Sequence, residues 1–206
     1  MSETTIVHLL RHGKVENPGD ILYGRLPDFH LSADGRGMAI AAADFFAERP
    51  VVSVFASPLD RAQETAAPVA ERLGLPVVTD GRLIESENQF EGQHQPLRKP
   101  VNWLWLYNPF RPSWGERYRD VVARMDAALA AARESAVGRE AVCVSHQLPI
   151  WVTRLAAEER NLWHNPAMRE CALGSVTSFT FDQDRLTSVS YTVPPRSQVP
   201  HPDAAQ

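Results

Sequence analysis

Two arginines and two histidines each follow closely on a short apolar segment of the sequence. Arg11 and His12 end the first such segment, Arg61 lies shortly after the second, and His146 ends a later one. If these segments are parallel strands, their carboxyl ends meet at one edge of a sheet, where ligands bind in open α/β folds. The sequence therefore predicts that these four side chains converge on one site.

A site of this composition is typical of phosphoryl chemistry. The non-bridging oxygens of a phosphoryl group carry negative charge, and the planar forks of Arg11 and Arg61 can each donate hydrogen bonds to two of them. The helix start predicted at Ser57 adds backbone N–H groups and a positive dipole. A neutral imidazole whose other ring nitrogen is held by an acceptor can attack phosphorus. The residue types alone leave open whether His12 or His146 is the nucleophile.

Predicted strands and helices alternate along the chain. Buried strands are predicted at residues 4–10, 51–56, 75–79 and 141–145, and period-2 alternation predicts edge strands at 175–181 and 186–193. Helices are predicted at 32–48, 57–73, within 113–136 and at 149–159, the first capped by Ser32 and the second ended by Gly74. This order predicts an α/β fold, a three-layer α/β/α sandwich with a mostly parallel central sheet.

The chain length of 206 residues suits a single domain, which we assign to residues 1–193. Residues 85–115 contain Asn, Gln, Pro and aromatic side chains with weak periodicity, and we interpret them as an insertion that forms a lid over the site. Residues 194–206 are rich in proline and are predicted to be a mobile tail.

Charge and cysteine content exclude several classes of function. The formal net charge of −4 argues against nucleic-acid and anionic membrane partners, which favour a basic face. The sequence contains neither a signal peptide nor a stretch long enough to span a bilayer, so the cytoplasm is the expected location. Cys143 and Cys171 predict neither a disulfide framework nor a zinc site, and neither is followed by the arginine of a cysteine phosphatase loop.

Leu10-Arg11-His12-Gly13 resembles the signature of the histidine phosphatase superfamily, which includes cofactor-dependent phosphoglycerate mutases and many phosphatases. Further segments resemble the other motifs of that family in the same order: Asn17, Tyr23-Gly24-Arg25, Leu31-Ser32 with Gly35, Ala56–Ala66 with Arg61, Arg82–Glu85, and Val144-Ser145-His146. The resemblance implies a phosphoglycerate mutase-like fold.

The resemblance also implies a role for each site residue. His12 would be the nucleophile, with the Gly13 carbonyl orienting its ring. Glu85 would protonate the leaving oxygen and then deprotonate the attacking water. The phosphoryl oxygens would be bound by Arg11, Arg61 and His146, with Asn17 and Gly24 as further substrate contacts. No metal ion or other cofactor would be required.

Two features depart from the pattern of the family. Gln147 stands where glycine commonly follows the second histidine, so it would give the substrate pocket a bulkier or more polar wall. The spacing of the acidic segment also differs, and Glu87 is therefore an alternative to Glu85 as the proton donor.

The implied activity is that of a histidine acid phosphatase, which would hydrolyse a small phosphorylated metabolite through a phosphohistidine on His12. The second motif and the short chain favour a phosphatase over a phosphoglycerate mutase-type phosphotransferase. The mutase stays open because Arg98, Lys99 and Arg111 in the insertion could bind acidic groups. A non-catalytic protein that binds a phosphorylated ligand is a third alternative. A homodimer paired through an edge strand is also left open.

Overall fold

The structure is a computed structural model that describes residues 4–94 and 115–195. Most of the predicted lid and residues 196–206 of the predicted tail lie outside the described residues. Among the residues that are described, no helix is both long enough and apolar enough to cross a membrane.

Six strands form one central sheet, in the order β3-β2-β4-β1-β5-β6. Four neighbouring strands are parallel: β1 (Thr4–Arg11), β2 (Val51–Ala56), β3 (Val77–Thr79) and β4 (Glu140–Ser145). The antiparallel hairpin of β5 (Val176–Asp182) and β6 (Arg185–Thr192) extends the sheet beyond β1. The mostly parallel sheet is thus confirmed.

Helices cover both faces of the sheet: α1 (Ala33–Phe46) and α2 (Asp60–Leu73) on one face, α3 (Tyr118–Ser135) and α4 (Gln147–Ala157) on the other. Successive residues of β1 point to opposite faces, so Leu9 packs in the core under α3 and α4, while Leu10 packs in the core under α1 and α2. The two cores confirm the predicted three-layer sandwich.

The ends of the helices were predicted with mixed success. Ser32 caps α1 by accepting a hydrogen bond from the Gly35 N–H at 3.1 Å, and Gly74 ends α2 with a φ of +66°, as predicted. The prediction that Ser57 begins the second helix is wrong. That helix begins at Asp60, and Ser57 instead places its hydroxyl 2.8 Å from His146. Similarly, α4 begins earlier than predicted, directly after His146.

The register of the sheet brings the ends of β1, β2 and β4 to one edge. Arg11 lies opposite Ser145, and Ala56 lies opposite Val144. The pairing continues one residue beyond β1, where the His12 N–H donates to the Ser145 carbonyl at 3.1 Å. The first residues after β1, β2 and β4 therefore lie next to one another at this edge of the sheet.

Candidate active site

His12 is a buried imidazole at the end of β1, with only 2% of its surface exposed. Its Nδ1 lies 2.8 Å from the Gly13 carbonyl oxygen. Because a carbonyl can only accept, Nδ1 carries the proton and the lone pair of Nε2 is left available. Burial lowers the pKa of His12 to about 3, and the charges of Arg61 and Arg11 act in the same direction. The ring is therefore neutral at neutral pH.

The backbone of Gly13, which orients this ring, is held by α1 and α2. Its N–H donates to the Thr65 hydroxyl at 3.0 Å, and that hydroxyl donates to the Arg61 carbonyl at 2.6 Å. A Cβ at position 13 would lie 2.5 Å from the carbonyl oxygen of Gly35. Only glycine permits so close an approach between the end of β1 and the start of α1.

Arg11 and Arg61 are each held by one backbone carbonyl. Arg11 Nη1 donates to the Cys171 carbonyl at 2.6 Å, and Arg61 Nη2 donates to the Gly24 carbonyl at 2.5 Å. The Arg61 guanidinium also lies 4.8 Å from the centre of the Tyr23 ring. The Nε atoms of both arginines are buried and have no hydrogen-bond partner within the described parts of the chain.

His146 lies beside His12, with the two ring centres 5.1 Å apart. Its Nε2 is 2.8 Å from the Ser57 hydroxyl, whereas its Nδ1 is buried without a partner among residues 4–94 and 115–195. Burial lowers the pKa of His146 well below its usual value, and His12 and Arg61 lower it further. If the Ser57 hydroxyl donates to Nε2, the neutral ring carries its proton on Nδ1 and has a free donor.

A pocket of about 280 Å³ opens beside His12. Its walls are formed by Arg11, His12, Leu22, Tyr23, Gly24, Glu85, Ser86, Asn88, Tyr118, Gln147, Leu148, Pro166 and Arg169. Arg61 and His146 are packed next to these walls, with 1% and 0% of their surfaces exposed. The structure thus brings together all the predicted site residues except one.

Asn17 is the predicted substrate contact that does not line this pocket. Its side-chain amide donates to the Ile21 carbonyl at 2.9 Å, and its side-chain oxygen accepts from the Ile21 N–H at 3.2 Å. These two bonds close the loop that leads to Tyr23 and Gly24. The side chain of Asn17 therefore stabilises this turn, which accounts for its place outside the pocket wall.

Glu85 is the acidic residue on the pocket wall, and burial raises the pKa of its carboxyl group. The Ser86 N–H, which donates to Glu85 Oε1 at 2.8 Å, lowers that pKa in part. Glu87 is exposed and does not line the pocket. Arg25 fixes the Glu85 backbone, since its Nε donates to the Glu85 carbonyl at 2.7 Å while its Nη2 pairs with Glu116 at 2.8 Å.

The family of the chain follows from comparison with known proteins. The sequence model of the histidine phosphatase superfamily (branch 1) matches residues 7–194. The chain belongs to this superfamily. An uncharacterized protein of Mycobacterium tuberculosis is 55% identical over 199 residues, which are 94% of this chain and 98% of that protein. The resemblance to the family is thus confirmed over residues 7–194.

Two further similarities concern phosphatases whose names include a substrate. The glucosyl-3-phosphoglycerate phosphatase of M. tuberculosis is 42% identical over 130 residues, which are 56% of this chain and 55% of that enzyme. The solved structure of a mycobacterial glucosyl-3-phosphoglycerate phosphatase has a TM-score of 0.75 and 28% identity, covering 94% of this chain and 100% of that one.

Tyr118 and Arg169 also line the pocket, but they were not predicted from the sequence as site residues. Arg169 shortly precedes β5, and β5 runs antiparallel to β1. An antiparallel strand brings its amino-terminal end to the edge where its parallel neighbours end. Knowing that the predicted edge strand β5 pairs with β1 would have indicated that Arg169 lies near the site. A single sequence does not reveal which strands pair.

Proposed function

We propose that this chain hydrolyses a small phosphorylated metabolite through a phosphohistidine on His12, without a metal ion. Three buried nitrogens carry the proposal: Nε of Arg11, Nε of Arg61 and Nδ1 of His146, none of which has a partner among the described residues. Buried polar groups are nearly always hydrogen-bonded. The oxygens of a phosphoryl group held beside His12 would supply the missing acceptors.

In the first step the lone pair of His12 Nε2 attacks phosphorus. An N–P bond forms, and the bond from phosphorus to the leaving oxygen breaks. The Glu85 carboxyl gives its proton to that oxygen, so the leaving group departs as an alcohol. Arg11, Arg61 and His146 donate to the phosphoryl oxygens and stabilise their charge as the group passes to nitrogen.

In the second step the Glu85 carboxylate takes a proton from a water molecule, which attacks the phosphohistidine. The N–P bond breaks, its electron pair returns to His12 Nε2, and phosphate leaves. Glu85 is protonated again and the cycle is closed. A carboxyl group whose pKa is raised by burial suits both roles.

The first prediction is that His12→Ala abolishes hydrolysis of an aryl phosphate measured in the presence of EDTA. The wild-type chain incubated with a ³²P-labelled phosphomonoester and quenched with alkali should carry label that is released by acid, as expected of phosphohistidine. His30→Gln is the matched control, because His30 is exposed and pairs with Glu64 away from the pocket. Undiminished turnover in His12→Ala would contradict the proposal.

Hydrolysis is proposed over phosphotransfer because relatives are named as phosphatases acting on a phosphomonoester. The two activities are separated by supplying 3-phosphoglycerate with 2,3-bisphosphoglycerate. We expect phosphate to be released faster than 2-phosphoglycerate is formed. Faster formation of 2-phosphoglycerate would identify a mutase instead.

A further inference from the structure

Arg169 is a positively charged residue on the pocket wall that has no role in the proposed mechanism. It is partly buried and lines the pocket together with His12 and Glu85. No carboxylate of the described residues lies within 4 Å of its guanidinium, whereas most other arginines of the described chain outside the pocket form such pairs. The charge of Glu85 acts on Arg169 from beyond 4 Å, without an ion pair between them. A partly dehydrated charge that is not directly paired is unfavourable, so an anion bound beside Arg169 would be stabilised.

The guanidinium of Arg169 is held in place by uncharged neighbours. Its Nε donates to His164 Nε2 at 2.8 Å, and its Nη1 lies 3.4 Å from Gln147 Oε1. His164 Nδ1 donates to the Leu162 carbonyl at 2.8 Å, which leaves Nε2 as the acceptor that Arg169 needs. The His164 ring stacks on Tyr118 with the ring centres 5.6 Å apart. Arg169 is therefore oriented without being neutralised.

The charges of the proposed reaction do not account for Arg169 either. A phosphomonoester carries up to about two negative charges, which the two charges of Arg11 and Arg61 balance. Glu85 must be protonated when it donates to the leaving group, so it is neutral when the substrate binds. The positive charge of Arg169, which lines the pocket together with the proposed proton donor Glu85, remains for the part of the substrate that leaves.

We infer that Arg169, with Gln147 and Tyr118 beside it, binds a second anionic group on the leaving-group side of the substrate, a carboxylate or a second phosphoryl group. This inference rests on the proposed function for the orientation of the substrate. The substrate class is thus a small phosphomonoester with a second acidic group.

The test measures binding separately from turnover, in a His12→Ala background that cannot form the phosphohistidine. Three probes differ by one substituent: 3-phosphoglycerate, glycerol 3-phosphate and glycerol 1,3-bisphosphate. We expect at least one of the two probes with a second acidic group to bind about 10- to 100-fold more tightly than glycerol 3-phosphate, the range of a charge-assisted hydrogen-bonded pair. The probe that is preferred identifies the second anion.

The preference should be lost when Arg169→Met is added to His12→Ala. Arg169→Lys should retain part of it, because lysine keeps the charge but loses the planar fork. Arg160→Met is the matched control and should leave the preference intact, since Arg160 pairs with Glu158 on the surface. Circular dichroism of each variant checks that it is folded. A preference that survives in Arg169→Met, or that is absent from the parent, overturns the inference.

The same probes distinguish this inference from the proposed function. In the chain with His12 intact, kcat/KM for the preferred probe relative to glycerol 3-phosphate should fall about 10- to 100-fold in Arg169→Met. An equal loss for all probes would assign Arg169 to Glu85 rather than to the substrate and overturn the inference. If the wild-type chain hydrolyses no probe and forms no phosphohistidine, the proposed function fails, while the binding preference still decides the role of Arg169.

Discussion

The proposed mechanism needs a neutral His12 and a protonated Glu85, and burial favours the required state of each. Removal from water disfavours the charged form of any group, so it lowers the pKa of the histidine and raises the pKa of the carboxyl. The charges of Arg61 and Arg11 reinforce this effect at His12 and oppose it at Glu85. A neutral His12 and a protonated Glu85 can therefore coexist in one pocket.

Glu85→Gln should slow hydrolysis of alkyl phosphates by about 10² to 10⁴-fold, because glutamine cannot protonate a departing alkoxide. An aryl phosphate should lose less in its first step, since a phenolate leaves without protonation. The raised pKa of Glu85 keeps the acid protonated to a higher pH than usual. The wild-type rate on alkyl phosphates should fall as the pH rises through that pKa. The pH profile of Glu85→Gln should lack this decrease.

Glu87→Gln is the matched control for this prediction, because Glu87 is exposed and lies off the pocket wall. It should leave the rate and the pH profile nearly unchanged. A large loss in Glu87→Gln together with a small one in Glu85→Gln would exchange the roles of the two glutamates.

At the scale of elements, the contact between the end of β1 and the start of α1 sets the position of His12, the proposed nucleophile. A Cβ at Gly35 would lie 2.0 Å from the Lys14 carbonyl oxygen. The atom in the way belongs to the backbone, so no side chain can move aside. Any substituent at Gly35 must push α1 away from the segment that carries His12 and Gly13.

Gly35→Ala should therefore destabilise the protein by about 1–3 kcal/mol or more, the range for overpacking of a buried site. Urea unfolding measures this change. Phosphatase activity should fall further than the folded fraction alone explains, because the Gly13 carbonyl that orients His12 moves with the loop.

Gly37→Ala is the control on the same helix. Gly37 is exposed in α1, and apart from the backbone of that helix no atom of the described residues lies within 4 Å of a Cβ built there. Alanine favours the helix, so this variant should be more stable by about 0.5–1 kcal/mol. Equal effects of the two substitutions would show that the close contact at Gly35 has no role.

The order of the elements could be predicted from the sequence because hydrophobic periodicity depends only on neighbours along the chain. Runs of apolar residues predicted β1, β2 and β4. Ser32 predicted the start of α1, and Gly74 predicted the end of α2. The start of α2 could not be predicted in this way. Ser57 followed by proline is typical of a helix N-terminus, but a contact distant in sequence, with His146, takes its side chain out of that role.

The candidate site was predictable to the same extent. Arg11 ends a strand that is recognisable from the sequence, and His12 and His146 directly follow such strands. Arg61 lies in the helix that follows a third strand. Tyr118 and Arg169 reach the pocket through the pairing of β5 with β1 and the packing of α3, which are properties of the folded chain. Of the three residues assigned to the leaving-group side, only Gln147 was thus predicted from the sequence.

At the scale of the whole molecule, three buried histidines tie the stability of the domain to pH. The third, His8, lies in β1 with 1% of its surface exposed. Its Nε2 donates to Glu140 at 3.0 Å, and its Nδ1 lies 2.8 Å from the Ser178 hydroxyl. Burial lowers the pKa of His8, as it does for His12 and His146.

A histidine whose pKa is lowered by folding binds its proton more readily in the unfolded chain. Its contribution to stability is complete above the unfolded pKa of about 6.5 and is lost as the pH falls below that value. Each such histidine reduces the free energy of unfolding by up to about 1.4 kcal/mol per pH unit, so three reduce it by up to about 4 kcal/mol per pH unit. Urea titrations between pH 7.5 and 5 should show this slope.

His8→Asn should reduce this slope by up to about 1.4 kcal/mol per pH unit, because one titrating histidine is removed. His30→Gln should act in the opposite direction. A hydrogen bond to Glu64 raises the pKa of the exposed His30, so the native state binds that proton more readily and gains stability at low pH. Removing His30 should make the slope steeper. A slope that is the same in His8→Asn and in the wild type would show that His8 is protonated in the folded chain and that its charge is held by Glu140.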